Sequence, residues 1–268
     1  MLIKWWHVFK LTWIERMAYR VNFVLEILSG IVSALIIVFL WLAVYKSSGR
    51  PIIGGYSIRE MITYLLGAGL INSFILTTAE NPETSQSILE GTLSNLLIKP
   101  LNPYGMWFVR DMGTKLFLLS VGLVGYAVVF FFFRNHLIFQ PDAASCGLFI
   151  VSLGLASVLQ FLIFEALSLL AFWVENTYGI RFMMRVIMEV VGGAIIPLSF
   201  FPLFIQKIFL LFPFHYLIYL PMRIFLAKID GPQIPVELLK ECGWIFALTL
   251  VNVVIWKKGV RQYVAMGD

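Results

Sequence analysis

Three glutamates stand inside or at the edge of apolar runs, Glu26, Glu165 and Glu189. A charge in hydrocarbon costs about 2.5–3.5 kcal/mol or more, so such residues usually face a bundle interior or water. Their chemistry would be holding a polar part of a solute, relaying a proton or pairing with a cation. Glu189 lies one helical turn from Arg185, which suits an i, i+4 ion pair, and structural pairing is the stronger reading for it. Glu26 is within a turn or two of the end of its run and can reach the interface. Glu165 is the deepest, and its residue type fits a structural role and a translocation path equally well. Asn72 and Ser73, near Thr77 and Thr78, are the other path candidates, although such groups serve interhelix bonds more often than ligands. Arg110, Asp111 and Lys115 form a cluster expected to sit solvated at a membrane edge.

Several chemistries have no motif here. There is no Gly-x-x-x-x-Gly-Lys-Ser/Thr phosphate loop, so nucleotide binding by this chain is not expected. No His-Glu-x-x-His or Cys/His metal spacing occurs, and no Gly-x-Ser-x-Gly elbow. His7, His136 and His215 stand far apart, and Cys146 and Cys242 read as small buried hydrophobes. A catalytic role is therefore unsupported, and neither a bound cofactor nor a metal is expected.

The elements that position these residues belong to a membrane. Hydrophobic residues make up 60% of the 268 and charged residues 13%, whereas soluble domains run nearer 45–50% and a quarter. The net charge of +5 lies mostly in short connectors, where topology explains it better than nucleic acid does. The expected fold is all-α with six spans, as one domain over 1–268: about Val21–Tyr45, Ser57–Thr78, Gly113–Phe133, Ala144–Val174, Phe182–Phe200 and Leu239–Trp256. Gly67, Ala68 and Gly69 near the middle of the second favour close helix packing. No cleavable signal is expected at the start. Instead residues 1–20 read as an interfacial helix, with Leu2, Trp5, Trp6, Phe9, Trp13 and Met17 on one face and Lys4, His7, Thr12 and Glu15 opposite. With six spans both termini share a side; 12 of the 20 Lys and Arg fall there and 8 opposite, which places the termini in the cytoplasm.

Two segments break the pattern. Pro197, Pro202, Pro213 and Pro221 divide the apolar run from Ile195 to Leu226 into pieces too short to cross. Residues 203–226 are therefore expected as a re-entrant helical hairpin, with one kinked extra span as the alternative. The polar connector Glu80–Asn102 reads as a short amphipathic helix over 82–98. Asn81 can cap it and Pro82 suits its first turn. Leu89, Leu93, Leu96 and Leu97 would share one face, with Ser87, Glu90, Ser94 and Asn95 opposite. Such a helix suits pushing on another protein, and equally a loop that merely links spans.

The run Ile88-Leu89-Glu90-Gly91-Thr92-Leu93-Ser94-Asn95-Leu96-Leu97-Ile98-Lys99-Pro100-Leu101 resembles the connector of ABC type-2 exporter permeases. Gly192-Gly193…Pro197…Pro202 and Phe212-Pro213-Phe214…Tyr219-Leu220-Pro221 resemble that family's closing signature, and Trp256, Gly259, Arg261 and Tyr263 its short basic tail. The resemblance implies a multi-pass permease of the cytoplasmic membrane. It implies a coupling helix, with Glu83, Ser87, Glu90, Gly91, Leu93, Ser94 and Leu97 as ATPase-contacting residues. It implies as partners two copies of an ABC ATPase, which would bind ATP and Mg, and a second permease subunit, identical or related. The apolar, aromatic interior suits an amphipathic or hydrophobic cargo such as a drug or lipid. A secondary transporter or channel would show paired broken helices in both halves, whereas the proline breaks cluster in the second; a lipid-modifying enzyme lacks its motifs.

Overall fold

A computed structural model describes residues 2–18, 20–138 and 142–265. The described chain is all-helical apart from one two-residue antiparallel ribbon, in which Ile52–Ile53 (β1) pairs with Tyr56–Ser57 (β2). Gly54 and Gly55 turn that ribbon with φ of +58° and +85°, the left-handed conformations a two-residue hairpin needs.

Helix α1 (Leu2–Met17) precedes α2 (Arg20–Ser48), then α3 (Ile58–Ile75), α4 (Glu83–Leu89), α5 (Leu93–Leu97) and α6 (Pro103–Phe133). After α7 (Ala143–Leu169) come α8 (Tyr178–Val191), α9 (Leu203–Leu210), α10 (Tyr219–Phe225) and α11 (Gln233–Ala265). Among the described residues five helical stretches are long and apolar enough to cross a bilayer: Ile27–Ser48, Ile58–Leu89, Pro103–His136, Ala143–Phe172 and Gln233–Tyr263. The expected fifth span, Phe182–Phe200, is not one continuous helix. Helix α8 has 14 residues, about 21 Å, and ends where Gly193 takes φ +85°. The freed carbonyls there are not left bare in the apolar interior. Tyr64 donates its hydroxyl to the Gly193 carbonyl at 2.7 Å, and the Tyr219 amide donates to that of Gly192 at 2.9 Å.

Helix α3 is the axis of the bundle. Its core face, with Tyr64, Leu65, Ala68, Ile71 and Ile75, meets Ala156, Leu159 and Ile163 of α7 and Leu220 and Met222 of α10. The small residues in its middle permit this. A Cβ at Gly67 would come within 2.7 Å of Met222, and one at Gly69 within 2.5 Å of the Tyr126 hydroxyl. By contrast α2 and α11 present mostly apolar side chains outward, among them Leu28, Val32, Ile36, Phe39, Phe246 and Val254.

Several expected boundaries move. Helix α6 begins at Pro103, ten residues before the expected Gly113, because Asn102 caps it, accepting from the Tyr104 amide at 3.1 Å, and proline suits its first position. Helix α11 extends the expected Leu239–Trp256 at both ends. On α1, Thr12 is buried rather than on the outward face, and Trp6 and Met17 are exposed. The helix lies against α6, with Trp13 edge-on to Phe117 at 5.4 Å, so the inward face is the one complementary to α6. Cys242, expected buried, is exposed on α11.

Around the expected hairpin, prolines start elements rather than only stopping them. Pro202 precedes α9, Pro213 opens a 3-10 turn over Pro213–Tyr216, and Pro221 sits in the first turn of α10, where its missing N–H costs nothing. His215 in that turn is buried, with Nδ1 2.9 Å from the Phe212 carbonyl, and burial pushes its pKa down to about 4.

Candidate functional site

The polar connector after α3 folds into two short helices, not one over 82–98. Gly91 separates α4 from α5 with φ +75°, a conformation that side-chain-bearing residues rarely adopt. This break overturns the expected leucine face. Leu93 is fully buried with Ile88, Trp107, Leu169 and Phe172, while Leu89 and Leu97 are exposed. The start of α4 differs by one residue from the expected signal: Pro82 stands at the cap position rather than in the first turn, while Asn81 Oδ1 still accepts from the Glu83 amide at 3.3 Å.

The buried face of α4 is polar: Thr84, Ser85 and Ser87, with Ile88. Ser85 and Ser87 satisfy themselves on the carbonyls of Pro82 and Thr84. Thr84 instead reaches across to α7 and donates its hydroxyl to Glu165 Oε2 at 3.0 Å. The connector and the buried glutamate near the end of α7 thus form one joint.

Charged groups brace this joint. Arg110 on α6 bridges Glu83 of α4, at 2.8 Å, and Glu15 of α1. One turn on, Lys115 is fully buried rather than solvated at a membrane edge. It bonds Asp111 at 2.7 Å, the Ser157 carbonyl at 3.1 Å and the Gln160 side chain. The early start of α6 explains the difference, because it carries this cluster three turns into a helix already packed on α7. From α8, Arg181 donates to the Asn81 carbonyl and Arg185 to Glu80 at 2.6 Å. Arg185 also meets Glu189 at 3.2 Å, the i, i+4 pair its spacing suggests.

Of the connector residues singled out from the sequence, Leu93 and Ser87 turn inward and Glu83 is half-buried. Glu90, Gly91, Ser94 and Leu97 face outward. Exposed Leu89 and Ile98 join them, beside a cleft of about 510 Å³ lined by Gln86, Glu90, Asn95, Lys99 and Arg110, among others. The end of α11 reaches the break between α4 and α5, where the Tyr263 hydroxyl donates to the Gly91 carbonyl at 2.6 Å. A Cβ at Gly259 would come within 2.0 Å of the Phe172 ring, so the close approach of α11 to the end of α7 requires glycine.

The candidate path residues do not come together. Glu165 belongs to the α4 joint, while Asn72 and Ser73 line a groove of about 470 Å³ beside α2 and α6. Ser73 there returns its hydroxyl to the Leu70 carbonyl. Glu26 is on α2, with its side chain outside what the structure describes. A larger, mostly apolar cavity of about 690 Å³ opens between α3, α6, α7 and α10, lined by Leu70, Phe74, Leu123, Phe149, Met222 and Phe225, with Arg134 the charged residue on its wall.

Two buried groups went unsignalled. Thr84 reads as one more hydroxyl in a polar run; its position directly after a span was the available clue. Glu241 on α11 is fully buried, and neither carboxylate oxygen has a hydrogen-bond partner among the described residues. Among the described residues no cluster of His, Cys, Asp or Glu could hold a metal ion.

The sequence profile described as "ABC-2 family transporter protein" matches residues 30–267. No curated protein matches the chain.

Proposed function

The chain belongs to the ABC-2 family of transporter proteins, a family of multi-pass membrane proteins, and we propose that it is the permease subunit of an ATP-driven exporter. The observation that carries this reading is the two-sidedness of the α4–α5 segment. Its inner face is bonded to α7 through Thr84 and Glu165. Its outer face leaves Glu90, Ser94, Leu89, Leu97 and Ile98 exposed beside a cleft. A separate ATPase, which would bind ATP and Mg, docks on that face and presses on α4.

In this reading α8 and the broken chain to Phe200 make the fifth of six spans, and 203–226 is the re-entrant hairpin. Both termini are cytoplasmic, and the membrane is the cell membrane. Two permease subunits, identical or related, pair with two ATPases. The outward apolar faces of α2 and α11 suit lipid or a partner subunit. The cargo is amphipathic or hydrophobic, in keeping with the largely apolar walls of the 690 Å³ cavity. Co-purification under mild detergent recovers an ATPase, and reconstituted transport needs ATP. A stable particle without any ATPase, transporting alone in liposomes, overturns the assignment.

A further inference from the structure

Beside the Thr84–Glu165 bond lies a cavity of about 30 Å³ whose walls are mostly polar. Five side-chain atoms on its lining residues are buried and have no hydrogen-bond partner among the described residues: Thr78 Oγ1, Trp107 Nε1, Asp111 Oδ2, Gln160 Nε2 and Glu165 Oε1. Asp111 Oδ2 is ion-paired with Lys115 at 2.7 Å, which leaves four without a partner of either kind. Roughly 90% or more of buried polar groups in proteins are paired, so four orphans around one space are not the residue of imperfect packing. They come from three separate elements, namely the turn after α3, then α6 and α7.

The donor and acceptor types restrict the ligand. Trp107 Nε1 and Gln160 Nε2 can only donate, Glu165 Oε1 accepts when ionised, and the Thr78 hydroxyl does both. A cation would meet the two N–H groups, and an anion would meet Glu165. A small neutral molecule that donates and accepts satisfies all four. The space exceeds the roughly 10–15 Å³ that one water requires, and it offers the two to four polar partners that hold a buried water.

We propose that this cavity is a specific water-binding site, in which one or two waters bridge Trp107 and Gln160 to Glu165 and Thr78. The water completes the joint under α4, so that Glu165 is held by Thr84 on one oxygen and by water on the other. The assignment is independent of what docks on the outer face of α4, and it stands or falls separately from the exporter reading.

The test uses the full chain in lipid nanodiscs. A density map fine enough to resolve ordered waters is read together with infrared spectra compared between ordinary water and water enriched in oxygen-18. The expected result is density within hydrogen-bond distance of Trp107 Nε1 and Glu165 Oε1, with an isotope-sensitive O–H stretching band that Trp107→Phe and Gln160→Met both weaken. Should Trp107→Phe not fold, Thr78→Val removes a hydroxyl at nearly constant volume and reads the same band. Trp107 bonded directly to a protein oxygen with the cavity closed overturns the proposal. So does density ringed by oxygens alone at ion distances, or a band that none of the folded variants changes.

Discussion

Thr84 and Glu165 are 81 residues apart in sequence and 3.0 Å apart in space, hydroxyl to carboxylate. The bond joins the polar connector to α7, the first helix of the second half. Removing the hydroxyl with Thr84→Val leaves a buried carboxylate oxygen unmet, at a cost of about 1–3 kcal/mol. Glu165→Gln keeps an oxygen for Thr84 and costs less. Thermal unfolding in detergent ranks the two; equal losses would show that the bond contributes little. In the assembled exporter, Thr84→Val also lowers transport per ATP hydrolysed.

Glu90 and Leu93 separate surface from core. Glu90 is exposed and Leu93 fully buried. Glu90→Arg leaves the fold intact and uncouples ATP hydrolysis from transport. Leu93→Ala opens a cavity and costs about 2–5 kcal/mol, so the yield of folded protein falls before any coupling defect can be read. Size-exclusion profiles paired with ATPase and transport assays distinguish them.

The Lys115–Asp111 pair is buried on α6 at 2.7 Å. Lys115→Met strands a carboxylate in the interior and costs about 3–5 kcal/mol. Adding Asp111→Leu removes the stranded charge and recovers much of the loss. A double mutant no more stable than Lys115→Met would refute the pairing.

His215 gives a pH dependence. Its native pKa is pushed down to about 4 by burial, against about 6.5 in the unfolded chain. Between those values the unfolded state binds the proton and the native state does not. Stability from this group is therefore fully present above about 6.5 and is lost as pH falls toward 4. Limited proteolysis of the 198–232 region from pH 7 to 4 should show increasing cleavage, and His215→Phe should flatten that component.

Much of the fold was legible because hydropathy and capping are local. The helices over 58–75, 143–169 and 20–48 follow from apolar length, and Asn81 from cap chemistry. The helix start at Asn102-Pro103 is equally local, but the same pair suits a break after the connector, and a span begun only at Gly113 leaves Lys115 at the membrane edge instead of inside the bundle. Gly91 hid its break because a glycine inside a helical leucine pattern is tolerated often enough to pass. The Glu165 joint was legible only as two halves. Nothing in the spacing of residues 84 and 165 pairs them, since tertiary packing alone brings α4 onto α7. Glu189 was readable because its partner is one turn away.

The Tyr263–Gly91 bond has a mechanical consequence. Helix α11 is 33 residues long, a rod of about 50 Å. Near one end it touches the hinge between α4 and α5 through Tyr263. Near the other, Glu237 accepts from the Tyr216 hydroxyl at 3.3 Å in the turn that carries His215. A single stiff lever therefore rests on both ends of the molecule. Between those ends α11 lies along α7 and against the α3 core, so a tilt imposed at Gly91 by a load on the connector would reach Tyr216 through one continuous helix and that core together.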